Sequence, residues 1–299
     1  MKKFTHFVFA MLLVTAFQPL FAQQTLHQVF VLNEGRFDYT LWQQDQPVTV
    51  GVYDPQTRLY HDFDVINEAR FASDLIVAGE NIYVAADTFL IRYDKNTLQR
   101  EATQVVHGIR KLAYWNNQIL VTRGDVVALN SYFQVYNADD LQFIYEFDPS
   151  NTVMNYATEG VAVIGNKGYV AVNNAFEWPP NPVGYLAEID LQNQTITGTH
   201  DLGIDGLNPD NLMVSGNTLY TLNNLDFTNS SVSSINTGNG QVNTAYLNVG
   251  SGCGSSMHHA GSVYYQSLAD PNNISNRNIG RYDVGAQSIM DTLFVNRTV

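Results

Sequence analysis

The sequence predicts an all-β fold, a β-propeller of four-stranded blades, on three observations. Composition is that of strands and turns, one strand-and-turn unit recurs six times at blade spacing, and no helical period or linker interrupts the chain. Tyr and Phe number 17 and 16 among 299 residues, and Asn, Gly, Thr and Ser fill the gaps between short apolar runs. Residues 23–299 are longer than one ordinary core sustains. No Pro/Ser-rich linker or charge block divides them, so we read a single domain built by repetition.

Residues 1–22 read as an export signal. Lys2 and Lys3 form a basic start, Phe7 to Phe17 is a nearly unbroken apolar run, and Leu20-Phe21-Ala22 ends on a small residue suited to cleavage before Gln23. The apolar run is shorter than the ~20 residues of a membrane span, and no later stretch approaches that length. We therefore expect an exported, soluble chain, destined for the periplasm, the cell surface or the medium. No cysteine near the cut offers a lipid anchor, and Cys253, the only cysteine, cannot form an internal disulfide. Loss of Lys2 and Lys3 takes the formal charge from −13 to −15. Such an acidic surface repels phosphate backbones and anionic lipid, which argues against nucleic acid and membrane partners.

The repeat is read from its turns. Val52-Tyr53-Asp54, Arg92-Tyr93-Asp94, Val135-Tyr136-Asn137, Glu188-Ile189-Asp190, Ser234-Ile235-Asn236 and Arg281-Tyr282-Asp283 each end a strand on Asp or Asn. Those six positions step by 40, 43, 53, 46 and 47 residues, close to the spacing of propeller blades. The side chain there accepts hydrogen bonds from backbone two residues on and starts a tight turn, a structural role rather than a catalytic one. Upstream of each turn stands a β-rich triplet: Val29-Phe30-Val31, Ile82-Tyr83-Val84, Ile119-Leu120-Val121, Gly168-Tyr169-Val170, Leu219-Tyr220-Thr221 and Val263-Tyr264-Tyr265. Five triplets follow a short turn such as Gly79-Glu80-Asn81 or Ser215-Gly216-Asn217. Each unit is thus four strands, A to D, with tight A–B and C–D turns.

The pattern of strand, Gly-Asn turn, Ile/Leu-Tyr-Val strand and Tyr-Asp-x-x-Thr turn resembles the YncE-like family of secreted and surface propellers, over nearly all of residues 23–299. Val31-Leu32-Asn33-Glu34-Gly35 is similar to the opening of its surface-layer-type members. The resemblance implies the propeller fold and export. Some similar surface propellers capture cobalamin for an outer-membrane transporter, but no binding motif matches here position by position, so no contact residue carries over.

Register places strand A of the first blade near Phe21, inside the leader, so the first blade lacks its own inner strand. After the last D strand, Asp291 to Val295, only Asn296 to Val299 remain. We expect a seven-bladed ring truncated at the C-terminus; the alternative is a six-bladed ring with one three-stranded blade.

Short A–B and C–D turns on one face put the longer B–C and D–A connections on the other, which becomes the candidate binding face. Three B–C loops carry Asn beside aromatics: Asn33 with Phe37, Tyr39 and Trp42; Asn173 and Asn174 with Phe176 and Trp178; Asn223 and Asn224 with Phe227. Aromatic rings stack on flat ligands while amides fix their polar edges; the competing reading is that these rings order their own loops. The D–A connections bring Asp74, Arg110, Lys111, Glu159, Asp210 and Asn211 to the mouth of the central channel, where opposite charges either bind a zwitterionic or amide-rich ligand or neutralise one another.

Other signals are weak. His258 and His259 are adjacent and point to opposite faces of a strand, so they do not chelate one ion together. Asp205 to Asp210 lacks the alternating spacing and closing Glu of a calcium loop. Glu34 and Glu177 are candidates for an acid/base pair whose separation sequence does not fix. Cys253 reads as a small buried filler rather than a nucleophile. No catalytic, metal or cofactor residue is assigned. The reading is an exported, non-catalytic propeller that binds a small molecule such as cobalamin, a glycan or a protein partner through its long-loop face. The alternative is a lactonase- or hydrolase-type enzyme using channel-mouth carboxylates.

Overall fold

Apolar residues alternate along the strands, and the alternation decides which neighbour each side chain meets. In β7 (Asn81–Ala86), Ile82, Val84 and Ala86 pack into one buried cluster with Val48, Val50 and Ile66. Tyr83 and Ala85 pack into another with Ile119, Val121 and Tyr136. A strand buried on both faces needs a sheet on each side, and radial stacking supplies it. The structure, a computed structural model, describes residues 26–177, 180–226, 228–268 and 277–295. The expected leader, residues 1–22, and the segment 296–299 lie outside the described residues, as does the side chain of Cys253.

Six antiparallel sheets follow one another along the chain. The first contains β1 (Val29–Asn33), β4 (Val48–Asp54) and β5 (Leu59–Ile66), with a separate hairpin of β2 (Arg36–Asp38) and β3 (Gln43–Gln46) rising from its B–C loop. The second contains β6 (Ala72–Ala78), β7, β8 (Phe89–Asp94) and β9 (Arg100–Val105); the third β10 (Ile109–Trp115), β11 (Gln118–Arg123), β12 (Phe133–Asn137) and β13 (Phe143–Glu146). The fourth contains β14 (Thr158–Ile164), β15 (Lys167–Val172), β16 (Tyr185–Asp190) and β17 (Thr195–Asp201); the fifth β18 (Pro209–Ser215), β19 (Thr218–Asn223), β20 (Ser231–Asn236) and β21 (Val242–Tyr246). The sixth contains β22 (Gly250–His259), β23 (Ser262–Leu268), β24 (Arg277–Asp283) and β25 (Ser288–Val295). These are the six repeats marked by the turns, arranged as the blades of a β-propeller. Among the described residues the first is three-stranded and there is no seventh blade; the position near Phe21 expected for its inner strand lies outside them.

Every C–D turn has the same chemistry. Asp54, Asp94, Asn137, Asp190, Asn236 and Asp283 each accept a backbone N–H from two or three residues on, at 2.6–3.0 Å. The fifth residue of each turn, Arg58, Leu98, Leu141, Gln194, Gly240 or Gln287, adopts a positive φ of 51–72°.

The inner strands β6, β10, β14, β18 and β22 lie side by side around the centre. Each is bulged near its start: the ladder slips between Ala72 and Asp74, Ile109 and Leu112, Thr158 and Val161, Pro209 and Leu212, and Ser251 and Ser256. A bulge re-aims the residues beside it, and these are the charged positions at the mouth.

Candidate functional site

Because the bulges all fall at the long-loop end of the inner strands, the channel mouth collects Asp74, Arg110, Lys111, Glu159 and Asp210 from four blades. Arg110 spans from blade three to blade four, its Nε and Nη2 donating to Oε2 and Oε1 of Glu159 at 2.9 and 3.1 Å. Glu159 is buried, and this bidentate clamp supplies the opposite charge that a buried carboxylate requires. The Arg110 guanidinium also lies over the ring of Phe176, 5.3 Å from its centroid. Asp210, 2% exposed, accepts from Asn224 Nδ2 at 2.8 Å, and Asn224 Oδ1 in turn accepts from Ser251 Oγ at 2.7 Å. Lys111 Nζ donates to Ser73 O at 2.8 Å. Asp74 accepts the Leu112 N–H at 2.8 Å, and burial pushes its carboxyl above the ordinary Asp range against the pull of Lys111.

Phe176 is the hub of this face. A recess of about 220 Å³ on one side of it is lined by Arg110, Glu159, Asn173, Asp210 and Asn224. A second, of about 290 Å³, runs to Tyr39, Arg70, Asp87 and Asp125. A third, of about 260 Å³, runs to Tyr132, Tyr156, Asn174 and Glu177. Gly124 leaves room for the hub, since a Cβ there would come within 2.6 Å of the Phe176 ring. Two larger depressions, about 760 Å³ on the outer rim and about 430 Å³ between blades five and six, lie away from the converging charges.

The sequence-derived candidates divide accordingly. Arg110, Glu159, Asn173, Asn174, Phe176 and Asp210 come together around the hub. Asn173 Nδ2 donates to Pro209 O at 3.3 Å, while Asn174 Nδ2 donates to Glu177 and to Asn181 O. Tyr39 reaches the second recess from the β2–β3 hairpin, where Phe37, Tyr39 and Trp42 pack edge-to-face on one another with centroids 5.0–6.1 Å apart. Asn33 points instead into the first blade, donating to Thr49 Oγ1 and Tyr60 Oη. Asn223 is fully buried and donates to Ser231 Oγ and Ser233 Oγ; its neighbour Asn224 is the residue at the mouth. Trp178 and Phe227 lie outside the described residues.

Among residues the sequence did not single out, Arg70 and Asp87 form a second bidentate pair, Nε–Oδ2 2.7 Å and Nη2–Oδ1 2.6 Å. Burial works against the Asp87 charge, but the Arg70 hydrogen bonds more than offset it and hold the carboxyl below its ordinary range. Tyr132, Tyr156 and Asn208 also reach the recesses. Among the other signals, His258 stacks on Tyr220, centroids 4.7 Å apart, and no group of three His, Cys, Asp or Glu among the described residues is placed to hold a metal. No helix among the described residues is long and apolar enough to cross a membrane.

No family model and no curated protein matches the chain. Among solved structures it is similar to hydrazine synthase of Kuenenia stuttgartiensis, with a TM-score of 0.55 and 14% identity over 71% of this chain; the match spans 62% of that chain, less than two thirds. It is similar also to the β-propeller domain of Cps50 (Swd1) of Myceliophteria thermophila, with a TM-score of 0.61 and 11% identity over 89% of this chain and 88% of that one. At such identities the likeness shows the propeller fold alone.

Proposed function

We propose that this propeller is exported and non-catalytic, and that it captures a small molecule, glycan or partner group at the mouth of its long-loop face. The propeller fold supports a binding or scaffold role in general. The observation that carries the finer reading is the convergence of three recesses on Phe176, with amide and carboxylate side chains from blades four and five around one of them. An aromatic face beside fixed polar groups is the ordinary make-up of a small-ligand site. Binding is favoured over hydrolysis because both carboxylate oxygens of Glu159 are taken up by the bidentate bond to Arg110. Export rests on Lys2, Lys3 and the apolar run that follows them, together with the resemblance to YncE-like surface propellers.

Thermal-shift screening against cobalamins, neutral glycans and peptides tests the reading. At least one compound should raise the melting temperature of the wild-type protein, and Phe176→Ala should reduce that shift while leaving the unliganded melt within a few degrees. A shift left undiminished by Phe176→Ala would place binding elsewhere, and the absence of any shift would count against capture.

A further inference from the structure

The chemistry of the mouth narrows the ligand class, if the capture reading above holds, and the layout of the face sets its length. The cations there are already engaged: Arg110 by Glu159, Arg70 by Asp87, and Lys111 by the Ser73 carbonyl. A phosphate or carboxylate would have to compete with these partners for the cations, and the acidic chain repels polyanions at a distance. Backbone groups at the ends of the B strands are likewise used, with Gly124 N bonded to Gly108 O, Asn173 N to Ala157 O and Asn224 N to Asn208 O. An extended peptide therefore finds no open ladder at these three strand ends. The mouth also carries planar amides and carboxylates beside an aromatic ring, and each bonded oxygen there keeps a second lone pair. Those groups hydrogen-bond hydroxyls while the ring covers a C–H face.

The recesses are also linked by shared lining residues. The Asp210 recess of about 220 Å³ meets the recess of about 260 Å³ at Phe176, and that one meets the outer-rim groove of about 760 Å³ at Tyr156. An aromatic ring stands at each junction. The first two compartments fall below the ~300 Å³ at which pockets for drug-sized ligands begin, so each admits about one small ring at a time. We propose that the long-loop face binds an uncharged oligosaccharide threaded from the Asp210 recess, past Phe176 and Tyr156, into the groove between Val153 and Ile204.

Calorimetric titration of the full chain with gluco-, xylo-, manno- and chito-oligosaccharides of one to six rings tests this. At least one series should bind with affinity rising roughly tenfold or more between one and four rings. Phe176→Ala should weaken every length by about tenfold, of the order of one stacking contact. Tyr156→Ala should weaken only chains of three rings or more, with Tyr156→Phe restoring them, which separates lost stacking from a misfolded loop. The proposal is overturned if all four series fail, if affinity is flat with length, if Tyr156→Ala weakens all lengths equally, or if charged oligogalacturonate binds more tightly than the neutral chains. Should a cobalamin or a peptide bind through Phe176 while every oligosaccharide fails, capture at this face stands and the oligosaccharide assignment falls.

Discussion

At Arg110, one side chain does two things: it satisfies the buried Glu159 carboxylate and it lays a flat cationic surface on Phe176. Removing it leaves the buried Glu159 carboxylate without its guanidinium. Breaking a buried pair in this way costs ~3–5 kcal/mol, and because the Arg110 side chain is 21% exposed we expect Arg110→Ala to sit at the lower end, about 3 kcal/mol. The double variant Arg110→Met, Glu159→Gln removes both charges and should recover most of that loss. Urea denaturation of the three proteins checks this, and a double variant no more stable than the single one would contradict it. The same scale shows why the site was half legible. Asn173, Phe176, Glu159 and Asp210 could be read from loop position, because the repeats fix which connections share a face. Asn223 and Asn224 could not be told apart, since successive residues point to opposite sides and a strand end misjudged by one residue exchanges the blade interior for the mouth. Arg70 and Asp87 carry no motif, and their pairing across 17 residues exists only once β6 and β7 are paired.

Between the C and D strands, one turn is built six times from different residues, which makes each blade a control for the others. Asp stands first in four copies and Asn in two. Local backbone N–H donors hold the Asp54, Asp94 and Asp190 carboxyls below their ordinary range, the principal donors being Gln56, Thr97 and Asn193. A depressed carboxylate adds stability that is fully present above the unfolded Asp value of ~3.9 and is lost as pH falls through the folded value. The triple variant Asp54→Asn, Asp94→Asn, Asp190→Asn should therefore be less stable than the wild type at pH 7 and lose less stability between about pH 5 and pH 2. Denaturant midpoints across that range would show it, and parallel acid limbs would refute it. The fifth turn position was not legible, because only Gly240 among the six is the residue that left-handed backbone favours. Gln194 and Gln287 are exposed there at φ 55° and 51°. Gln194→Gly and Gln287→Gly should each stabilise the protein by roughly 0.5–1 kcal/mol, as relief of left-handed strain outweighs the added freedom of the unfolded chain. A loss of stability in either would show that the side chain has a role the strain conceals.

Across the whole molecule, stability passes from blade to blade through five buried clusters, so each blade depends on what its neighbours cover. The six repeats were legible because the turn spacing reports them directly, whereas the expected seventh blade does not appear among the described residues. The bulges that form the mouth were not legible, since a ladder slip leaves no composition signal. Their consequence is a gradient. Strands β7, β11, β15 and β19 each lie between two ladder partners and bury nearly every residue, whereas β1, in the same place in its blade, pairs only with β4 among the described residues and buries none fully. A strand with one ladder and a wet face opens at lower free energy than one enclosed on both sides. Amide exchange followed by mass spectrometry should show Val29–Asn33 exchanging at least about tenfold faster than Gln118–Arg123 under native conditions. A ligand held at Phe176 by groups from blades three to five should then slow exchange in β10, β14 and β18 and leave β1 unchanged. Equal protection of β1 and β11 in the free protein would mean that the first blade's inner edge is covered. Ligand protection centred on β1 would move the binding site away from the mouth and toward that edge.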